Sequence, residues 1–470
     1  MVIEVAAYRG GVTTVLVVDD DFMVAKLHGR YVSAMDGFTV VGVAHNGADA
    51  LRAAERLRPD LVLLDIYLPD MDGIDVLRAL RTAEERDASR PSTDALFITA
   101  AKDAGVIRAA LRAGALHYLI KPFNRSALQE QLRHVAALRR RLDELGEWLS
   151  AAQQSVPVRA VEQPRLVLFA GDHGVAELGV SGRPAGGAYE LVRNVLDGAS
   201  PVAVLARRFS VPARIVDVSL DCDPELLPES VVRHRVRRGS GRIDVEDAMT
   251  PVEAEQAIRL GMAIADEEAD SGTDLVVLGD LSVGGTTAAA TLVAALCGTD
   301  ASVVTGRGGA GIDDLAWMRK CAAIRDALRR ARPVLGDQVE LLATSGGADL
   351  AAMTGFLLQS AVRRMPVILD GVVSAACALV AQRAAFRAPD WWLAGQVSGE
   401  PAQSKALDRM ALTPLLDHGV TVGEGSGALL ALPLVQAAAA LAAELPEREP
   451  EKPEDEEEAE EAEASAVDGG

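Results

Sequence analysis

The chain has 470 residues, of which 49% are hydrophobic but only 4% aromatic, so its cores must be built from aliphatic side chains. This length predicts two or three domains, and aliphatic cores favour α/β layers around parallel strands. The formal net charge of −21 argues against a nucleic-acid partner, because contacts with phosphates need clusters of Lys and Arg.

Residues 444–470 hold 13 acidic and two basic residues and carry −11 of the net charge. A segment of this composition cannot bury enough apolar area to offset its ordering entropy, so we predict a disordered acidic tail. The four cysteines lack metal-ligand spacing, which indicates reduced thiols. Residues 428–441 are apolar but too short to span a bilayer, and no leader is seen. We expect a cytoplasmic protein without a membrane partner.

Residues 12–137 alternate short aliphatic runs with amphipathic segments. This pattern predicts a doubly wound parallel sheet, with five strands at residues 14–18, 39–43, 61–64, 95–99 and 115–120. We expect the last helix of this domain to begin near Ser126 and to run past Leu142 to about Leu149.

Carboxylates follow two of these predicted strands. Asp19 and Asp20 end the run VLVVDDD, and Asp65 ends the strand in LVLLDIYLPDMDG. Because the carboxyl ends of parallel strands share one edge of a sheet, the three acids should converge there. Oxygen ligands at that density suit Mg²⁺, beside which a carboxylate can attack a phosphoryl group.

Thr99 and Lys121, in the motifs TA and KPF, end two more strands and can bind a phosphoryl group. In this order the motifs resemble the receiver domain of two-component response regulators, over residues 12–137. The resemblance implies that Asp65 is the phosphoacceptor, that Mg²⁺ binds at Asp19, Asp20 and Asp65, and that Thr99, Tyr118 and Lys121 are switch residues. It also implies a sensor histidine kinase as partner. A flavodoxin-like domain with chance acids at its strand ends is the alternative.

Alternation of strand and helix resumes at residue 166, with strands expected at residues 274–278, 339–342 and 366–369. Five glycine-rich segments stand where we expect strand to give way to helix: residues 169–181, 278–292, 303–315, 343–358 and 422–435. Glycine lets backbone N–H groups approach a ligand closely, so such loops at one sheet edge would cradle phosphate and ribose. None has the dinucleotide-binding or P-loop pattern.

Glycosyl transfer at a ribose carbon fits these parts. Such reactions pass through an oxocarbenium-like state that carboxylates stabilise, and they need a base when the incoming nucleophile is a ring N–H. Glu424 lies between Gly423 and Gly425 in an apolar stretch, where burial would raise its pKa towards that of a useful base. The alternative is a Glu on an exposed turn.

The five segments resemble, in order, the nicotinate-nucleotide–dimethylbenzimidazole phosphoribosyltransferase family, from about residue 141 to 440. The segments DGVVSAACAL (residues 370–379) and SGEPAQSKAL (residues 398–407) match too. The resemblance implies a Rossmann-like α/β domain, which we place at residues 138–443, working as a homodimer without a cofactor. It implies transfer of the phosphoribosyl group of nicotinate mononucleotide to dimethylbenzimidazole, which gives α-ribazole phosphate and nicotinate.

By the same resemblance Glu424 is the general base. The substrate-binding residues that it implies lie in the loops: Asp172, His173, Asp280, Gly284, Gly285, Thr286, Thr287, Gly306, Arg307, Gly308, Gly309, Ser398 and Glu400. For His173 a purely structural role is the alternative.

The chain also departs from the family pattern. The family's Gly-Ile-Gly-Asn-Thr-Thr reads SVGGTT at residues 282–287, Gln396 replaces a His, and the receiver's last helix stands where family members carry a Lys-Pro-Pro-Gly-Ser-Leu-Gly loop. Three hypotheses stay open. The chain is an active transferase controlled by phosphorylation of Asp65, a catalytically impaired ligand-binding response regulator, or an ordinary response regulator whose output domain only resembles the enzyme.

Overall fold

The computed structural model describes residues 12–86, 93–100, 104–115 and 117–444. The described chain divides into two compact units, with the boundary between Asp143 and Glu144. The acidic tail predicted from the sequence lies outside the described residues, apart from Glu444 at the end of the last helix.

The first unit contains a parallel five-stranded sheet in the order β2-β1-β3-β4-β5. Its strands are β1 (Thr13–Val18), β2 (Phe38–Ala44), β3 (Leu61–Asp65), β4 (Asp94–Thr99) and β5 (His117–Ile120). Its helices are α1 (Phe22–Ser33), α2 (Gly47–Leu57), α3 (Gly73–Arg86), α4 (Ala104–Arg112) and the first part of α5 (Arg125–Gln153), which continues along the chain into the second unit. The predicted doubly wound fold is confirmed, as is the long last helix.

Alternation along the strands explains why this sheet is buried on both faces. Val15 and Val17 belong to one apolar cluster, whereas Leu16 and Val18 belong to another. Successive side chains of a strand point to opposite faces, so an uninterrupted aliphatic run fills both helix-covered layers.

The second unit contains a parallel six-stranded sheet in the order β11-β10-β9-β8-β6-β7. Its strands are β6 (Pro164–Asp172), β7 (Ala213–Ser219), β8 (Leu275–Val283), β9 (Val367–Leu369), β10 (Trp392–Gln396) and β11 (Pro414–Leu416). Its helices are α6 (Ala188–Leu196), α7 (Pro201–Arg208), α8 (Glu229–Val232), α9 (Pro251–Asp270), α10 (Gly285–Cys297), α11 (Ala301–Val304), α12 (Asp314–Ala331), α13 (Gln338–Ser345), α14 (Ala348–Val362), α15 (Gly371–Ala384), α16 (Pro401–Met410) and α17 (Ser426–Glu444). The predicted α/β class is confirmed here too.

The strand expected at residues 339–342 is wrong, because these residues lie in α13. The side chain of Asp337 accepts hydrogen bonds from the N–H groups of Val339 and Glu340 and so caps a helix there. The glycine-rich segments at residues 169–181 and 278–292 do follow strands. The segment at residues 422–435 lies between β11 and α17, so it also stands where strand gives way to helix. The segments at residues 303–315 and 343–358 connect helices, so the expected strand-to-helix junction is wrong for these two.

Helix α14 packs closely against α9 and also contacts β6. A Cβ on Gly261 would lie 1.7 Å from the carbonyl oxygen of Ala352, and one on Gly355 would lie 2.0 Å from that of Ile258. Only glycine allows the two backbones to approach this closely. The contact matters for the site because Asp349, in the first turn of α14, reaches it.

One described helix is long and apolar enough to cross a membrane, the Ser426–Ala443 part of α17. The expectation that no stretch reaches spanning length was therefore wrong. Half of this segment is buried inside the protein, as in the core helix of a soluble protein, so the helix is weak evidence for a membrane span.

Candidate functional site

Asp19, Asp20 and Asp65 meet at the carboxyl edge of the first sheet, with one oxygen of each within 4.8 Å of the others. Lys121 Nζ donates to Asp19 Oδ2 at 2.7 Å and to Asp65 Oδ2 at 2.6 Å. Burial alone lowers the pKa of Lys121, but these hydrogen bonds and the two charges outweigh it and raise that pKa. Three carboxylate oxygens in this arrangement are a donor set that fits Mg²⁺.

The remaining receiver residues lie on the neighbouring strands. Thr99 is buried at the end of β4, and its carbonyl oxygen accepts a hydrogen bond from the N–H of Lys121 at 2.7 Å. Tyr118 is half-buried on β5, which pairs with β4. The third acid of the DDD run has another task, because Asp21 accepts hydrogen bonds from Met23 and Val24 and caps α1.

His28 is a residue of this pocket that the sequence did not reveal. Its ring is buried on α1, stacks on Phe123 at 5.1 Å, and has Nδ1 3.8 Å from Asp19 Oδ2. Burial and the nearby Lys121 lower the pKa of His28 to about 4. Its helical spacing from the buried Ala25 was the only available signal.

In the second unit, Glu424 lies in a strained turn. Gly423, Glu424 and Gly425 all have positive φ angles, of 69°, 59° and 90°, which costs free energy at a residue other than glycine. Asp370 holds the turn by accepting hydrogen bonds from the N–H groups of Gly425 at 2.8 Å and Ala428 at 3.0 Å. Asp370 is fully buried, and burial raises its pKa to about 6.

The Glu424 carboxyl is largely buried, with 14% of its side chain exposed. Burial raises its pKa, and the Arg183 guanidinium, 3.9 Å away, opposes this rise, while the charge of Asp370 adds to it. The side chain is therefore a largely buried carboxyl, which holds a proton more tightly than it would in water.

Asp280, on β8, belongs to the same electrostatic neighbourhood. Burial raises its pKa to about 7, the hydrogen bond from Ser282 Oγ opposes the rise, and Asp349, Asp370 and Glu424 add to it. That hydrogen bond is 2.6 Å long. A carboxyl with such a pKa changes protonation near neutral pH.

The two residues at the end of β6 bind other protein groups. His173 Nε2 lies 3.0 Å from Asp349 Oδ2, and both side chains are buried. Burial alone lowers the pKa of His173, but the charges of Asp349, Asp172 and Asp280 raise it. Asp172 accepts hydrogen bonds from the N–H groups of Ala188 and Asp221. Substrate contact by Asp172 and His173 stays a prediction.

The glycine turn before α10 lies beside a buried lysine. Gly284 caps the helix with a φ of 88°, Gly285 and the buried Thr287 lie in its first turn, and Thr286 Oγ1 accepts a hydrogen bond from Lys320 Nζ at 2.9 Å. Only 1% of Lys320 is exposed. Burial lowers the pKa of Lys320, and the charge of Glu400 opposes this. A helix N-terminus and an ammonium together suit an anion such as phosphate.

Glu400 holds the glycine loop at residues 306–309. Its Oε1 accepts a hydrogen bond from the N–H of Gly308 at 2.7 Å, and its Oε2 would lie 2.1 Å from a Cβ on Gly306. A Cβ on Gly308 would lie 3.9 Å from Thr286 Oγ1, so this loop borders the α10 turn. Gly309 is exposed in the same loop.

Three more residues are accounted for by local contacts. Arg307 is exposed and donates to Asp314 at 2.5 Å. Ser398 Oγ donates to Gln403 Oε1 at 2.7 Å. Gln396, which stands where the family has a His, donates to Asp370 Oδ1 at 3.4 Å.

Lys320, Asp349 and Asp370 are the site residues that the sequence did not reveal. Lys320 lies on a helix 34 positions after Thr286 and is part of no motif, so only its burial in the fold marks it. Asp370 begins a segment that matches the family, but the match assigned it no task. Its hydrogen bonds to the Glu424 turn span 55 and 58 positions.

Comparison with known proteins agrees with both resemblances. The family described as Phosphoribosyltransferase matches residues 124–450, and the family described as Response regulator receiver domain matches residues 15–133. A nicotinate-nucleotide–dimethylbenzimidazole phosphoribosyltransferase of Streptomyces avermitilis is 82% identical over 306 residues, 65% of this chain and 82% of that protein. The protein of that name from Mycolicibacterium paratuberculosis is 49% identical, over 64% of this chain and 85% of the relative.

Among solved structures, that of the phosphoribosyltransferase of the same name from Thermus thermophilus is 34% identical, with a TM-score of 0.60, over 64% of this chain and 88% of that one. The match of the first family covers more than half of the chain. The chain therefore belongs to the phosphoribosyltransferase family over residues 124–450 and carries a response-regulator receiver domain at residues 15–133.

Proposed function

We propose that the chain transfers the phosphoribosyl group of nicotinate mononucleotide to 5,6-dimethylbenzimidazole, giving α-ribazole phosphate and nicotinate. The observation that carries this proposal is the buried Glu424 carboxyl, held by Asp370 in a strained turn. The chain is also 82% identical over 306 residues to a Streptomyces avermitilis protein named for this activity.

The reaction breaks the bond between ribose C1′ and the nicotinate ring nitrogen, and it forms a bond between C1′ and a ring nitrogen of the incoming base. Glu424 takes the ring N–H proton of that base, since burial raises its pKa above that of an ordinary carboxyl. Nicotinate leaves with the electron pair of the broken bond. In its charged form, Asp280 stabilises the positive charge that develops on the sugar.

The phosphate of the nucleotide binds at the N-terminus of α10, beside Lys320 and Thr286. The loop at residues 306–309, held by Glu400, closes the same site over the ribose. The other substrate-binding residues predicted from the sequence, from Asp172 to Ser398, complete this site. The protein works as a cytoplasmic homodimer. Each chain has a receiver domain at residues 12–137 and a transferase domain at residues 138–443. The transferase domain uses no cofactor in this scheme.

The receiver domain accepts a phosphoryl group on Asp65 from a sensor histidine kinase, and this modification regulates the transferase. Asp19, Asp20 and Asp65 supply the oxygens for Mg²⁺, which neutralises phosphoryl charge when bound. Lys121 lies within hydrogen-bond distance of Asp19 and Asp65 and pairs with the phosphoryl oxygens.

Nicotinate release from nicotinate mononucleotide and dimethylbenzimidazole tests the proposal. Glu424→Gln should lower kcat by roughly 10²- to 10⁴-fold, because it removes the proton acceptor and keeps the size of the side chain. The matched control is Glu255→Gln, an exposed residue of α9 whose loss should leave the rate unchanged. A folded wild type that binds the nucleotide without releasing nicotinate would instead support the impaired, ligand-binding response regulator.

A further inference from the structure

Ser282 and Asp280 lie two positions apart on β8, and consequently on the same face of the strand. Ser282 Oγ donates a hydrogen bond to Asp280 Oδ2 at 2.6 Å. In the part of the chain that the structure describes, no other hydrogen bond reaches the carboxyl of Asp280. The Ser282 hydroxyl is therefore the neutral donor that orients this carboxyl.

The same hydroxyl fills the space beside Gly285. A Cβ on Gly285 would lie 2.1 Å from Ser282 Oγ and 2.9 Å from Ser282 Cβ. Both separations are shorter than any van der Waals contact, and no change of rotamer moves Ser282 Cβ, so a side chain at position 285 and one at position 282 cannot both be accommodated without a shift of the backbone. Gly285 is a helical residue with no positive φ, which leaves the clash with Ser282 as the local reason for glycine.

We propose that Ser282 is a positioning residue for Asp280 in the transfer reaction, and that Gly285 is the small residue that Ser282 requires. This inference rests on the proposed function. The charges of Asp349, Asp370 and Glu424 all act against the charged form of Asp280. His173, which also interacts with Asp280, is paired with the buried Asp349. A carboxylate in such surroundings depends on the donor that Ser282 supplies.

The first test is the pH profile of kcat/KM for nicotinate release. Ser282→Ala removes the hydrogen bond to the charged form of Asp280, so the acid limb should move to higher pH by about one to two units. The rate should fall most below pH 7 and recover at high pH. Ser282→Thr keeps the hydroxyl and should retain the wild-type limb. A uniform loss at every pH in Ser282→Ala would mean a merely structural role and overturn the proposal.

The second test needs no activity. On backbone grounds Gly→Ala stabilises a helix, but Gly285→Ala should lower Tm because its Cβ meets Ser282. Adding Ser282→Gly removes the clash, so the double variant should melt above Gly285→Ala alone. A Gly285→Ala variant that melts at or above the wild type would overturn the pairing. If the wild type releases no nicotinate, the proposed function fails, and this cycle still decides whether Ser282 and Gly285 are coupled.

Discussion

Each unit gathers carboxylates at the carboxyl edge of a parallel sheet, but the groups that balance them differ. In the receiver, Lys121 lies 2.7 Å from Asp19 and 2.6 Å from Asp65. In the transferase, backbone N–H groups hold Asp370 and a hydroxyl holds Asp280, and burial raises their pKa values to about 6 and about 7.

The groups that pair with the acids, here called counter-groups, therefore decide the chemistry of each site more than the position of the acids on the sheet does. A full positive charge that pairs with a set of acids suits a site that binds a cation or a phosphoryl group. Neutral donors around buried acids leave them able to take and return protons near neutral pH. The predictions below change one counter-group or one acid at a time.

The largest effect should come from the receiver acid itself. Asp65→Asn removes the nucleophilic carboxylate, so incorporation of phosphate from a small acyl phosphate with Mg²⁺ should be lost completely. Incorporation is measured as labelled phosphate retained on the protein. Asp75→Asn, at an exposed residue paired with Arg78 on α3, is the matched control and should incorporate as the wild type does.

Two outcomes would contradict this prediction or narrow it. Labelled phosphate that persists on Asp65→Asn would place the acceptor on another residue. If phosphorylation changes the rate of nicotinate release in the wild type, that change should be absent in Asp65→Asn. A change that persists in this variant would show that regulation does not act through Asp65.

Lys320 offers the next test, because it is the one cation among the described residues that lies buried at the glycine turn of the transferase. Lys320→Met keeps the length of the side chain but removes the ammonium group that we propose binds the nucleotide phosphate. We expect KM for nicotinate mononucleotide to rise roughly 10- to 100-fold. Steady-state kinetics at fixed dimethylbenzimidazole measure it.

Lys405→Met, at an exposed position of α16, is the control for loss of a lysine. The Lys320→Met variant should still fold, because it replaces a buried charge by an apolar side chain of similar volume. An unchanged KM with a lower kcat would show that Lys320 acts in the chemical step and does not hold the phosphate.

The sequence predicted the parts of both sites that depend on local order along the chain. Asp19, Asp65 and Lys121 stand at the carboxyl ends of β1, β3 and β5, and parallel pairing brings these ends to one edge of the sheet. Glu424 was visible because glycines flank it in an apolar run. The first sheet followed from its aliphatic runs, whereas in the second sheet such runs predicted β8 and β9 but not β7, β10 or β11.

The rest depends on tertiary packing, which no local pattern encodes. Asp349 reaches His173 across 176 positions, because α14 packs against β6. The run at residues 339–342 has the composition of a strand, but the Asp337 cap directs it into α13. Lys320 resembles any helix lysine until α12 packs it against the α10 turn.

The smallest predicted effect is a change in how the thermal stability of the transferase depends on pH, and it comes from Asp280. The pKa of Asp280 rises from 3.8 to about 7 on folding. Between these values the unfolded chain has lost a proton that the folded chain keeps. The stability contributed by this group is therefore complete below pH 4 and is lost progressively as the pH rises to 7.

Asp280→Asn cannot ionise, and its amide oxygen can still accept the hydrogen bond from Ser282 Oγ. Its Tm should therefore approach and then exceed that of the wild type as the pH rises from 4 to 7, by on the order of 5 °C at pH 8. The thermal melt, followed in steps of pH, measures this. Asp221→Asn, at a half-exposed acid paired with Arg238, should show no such trend. A pH-independent difference between Asp280→Asn and the wild type would mean that folding leaves the pKa of Asp280 unchanged, and it would contradict the contrast between neutral donors and a full positive charge.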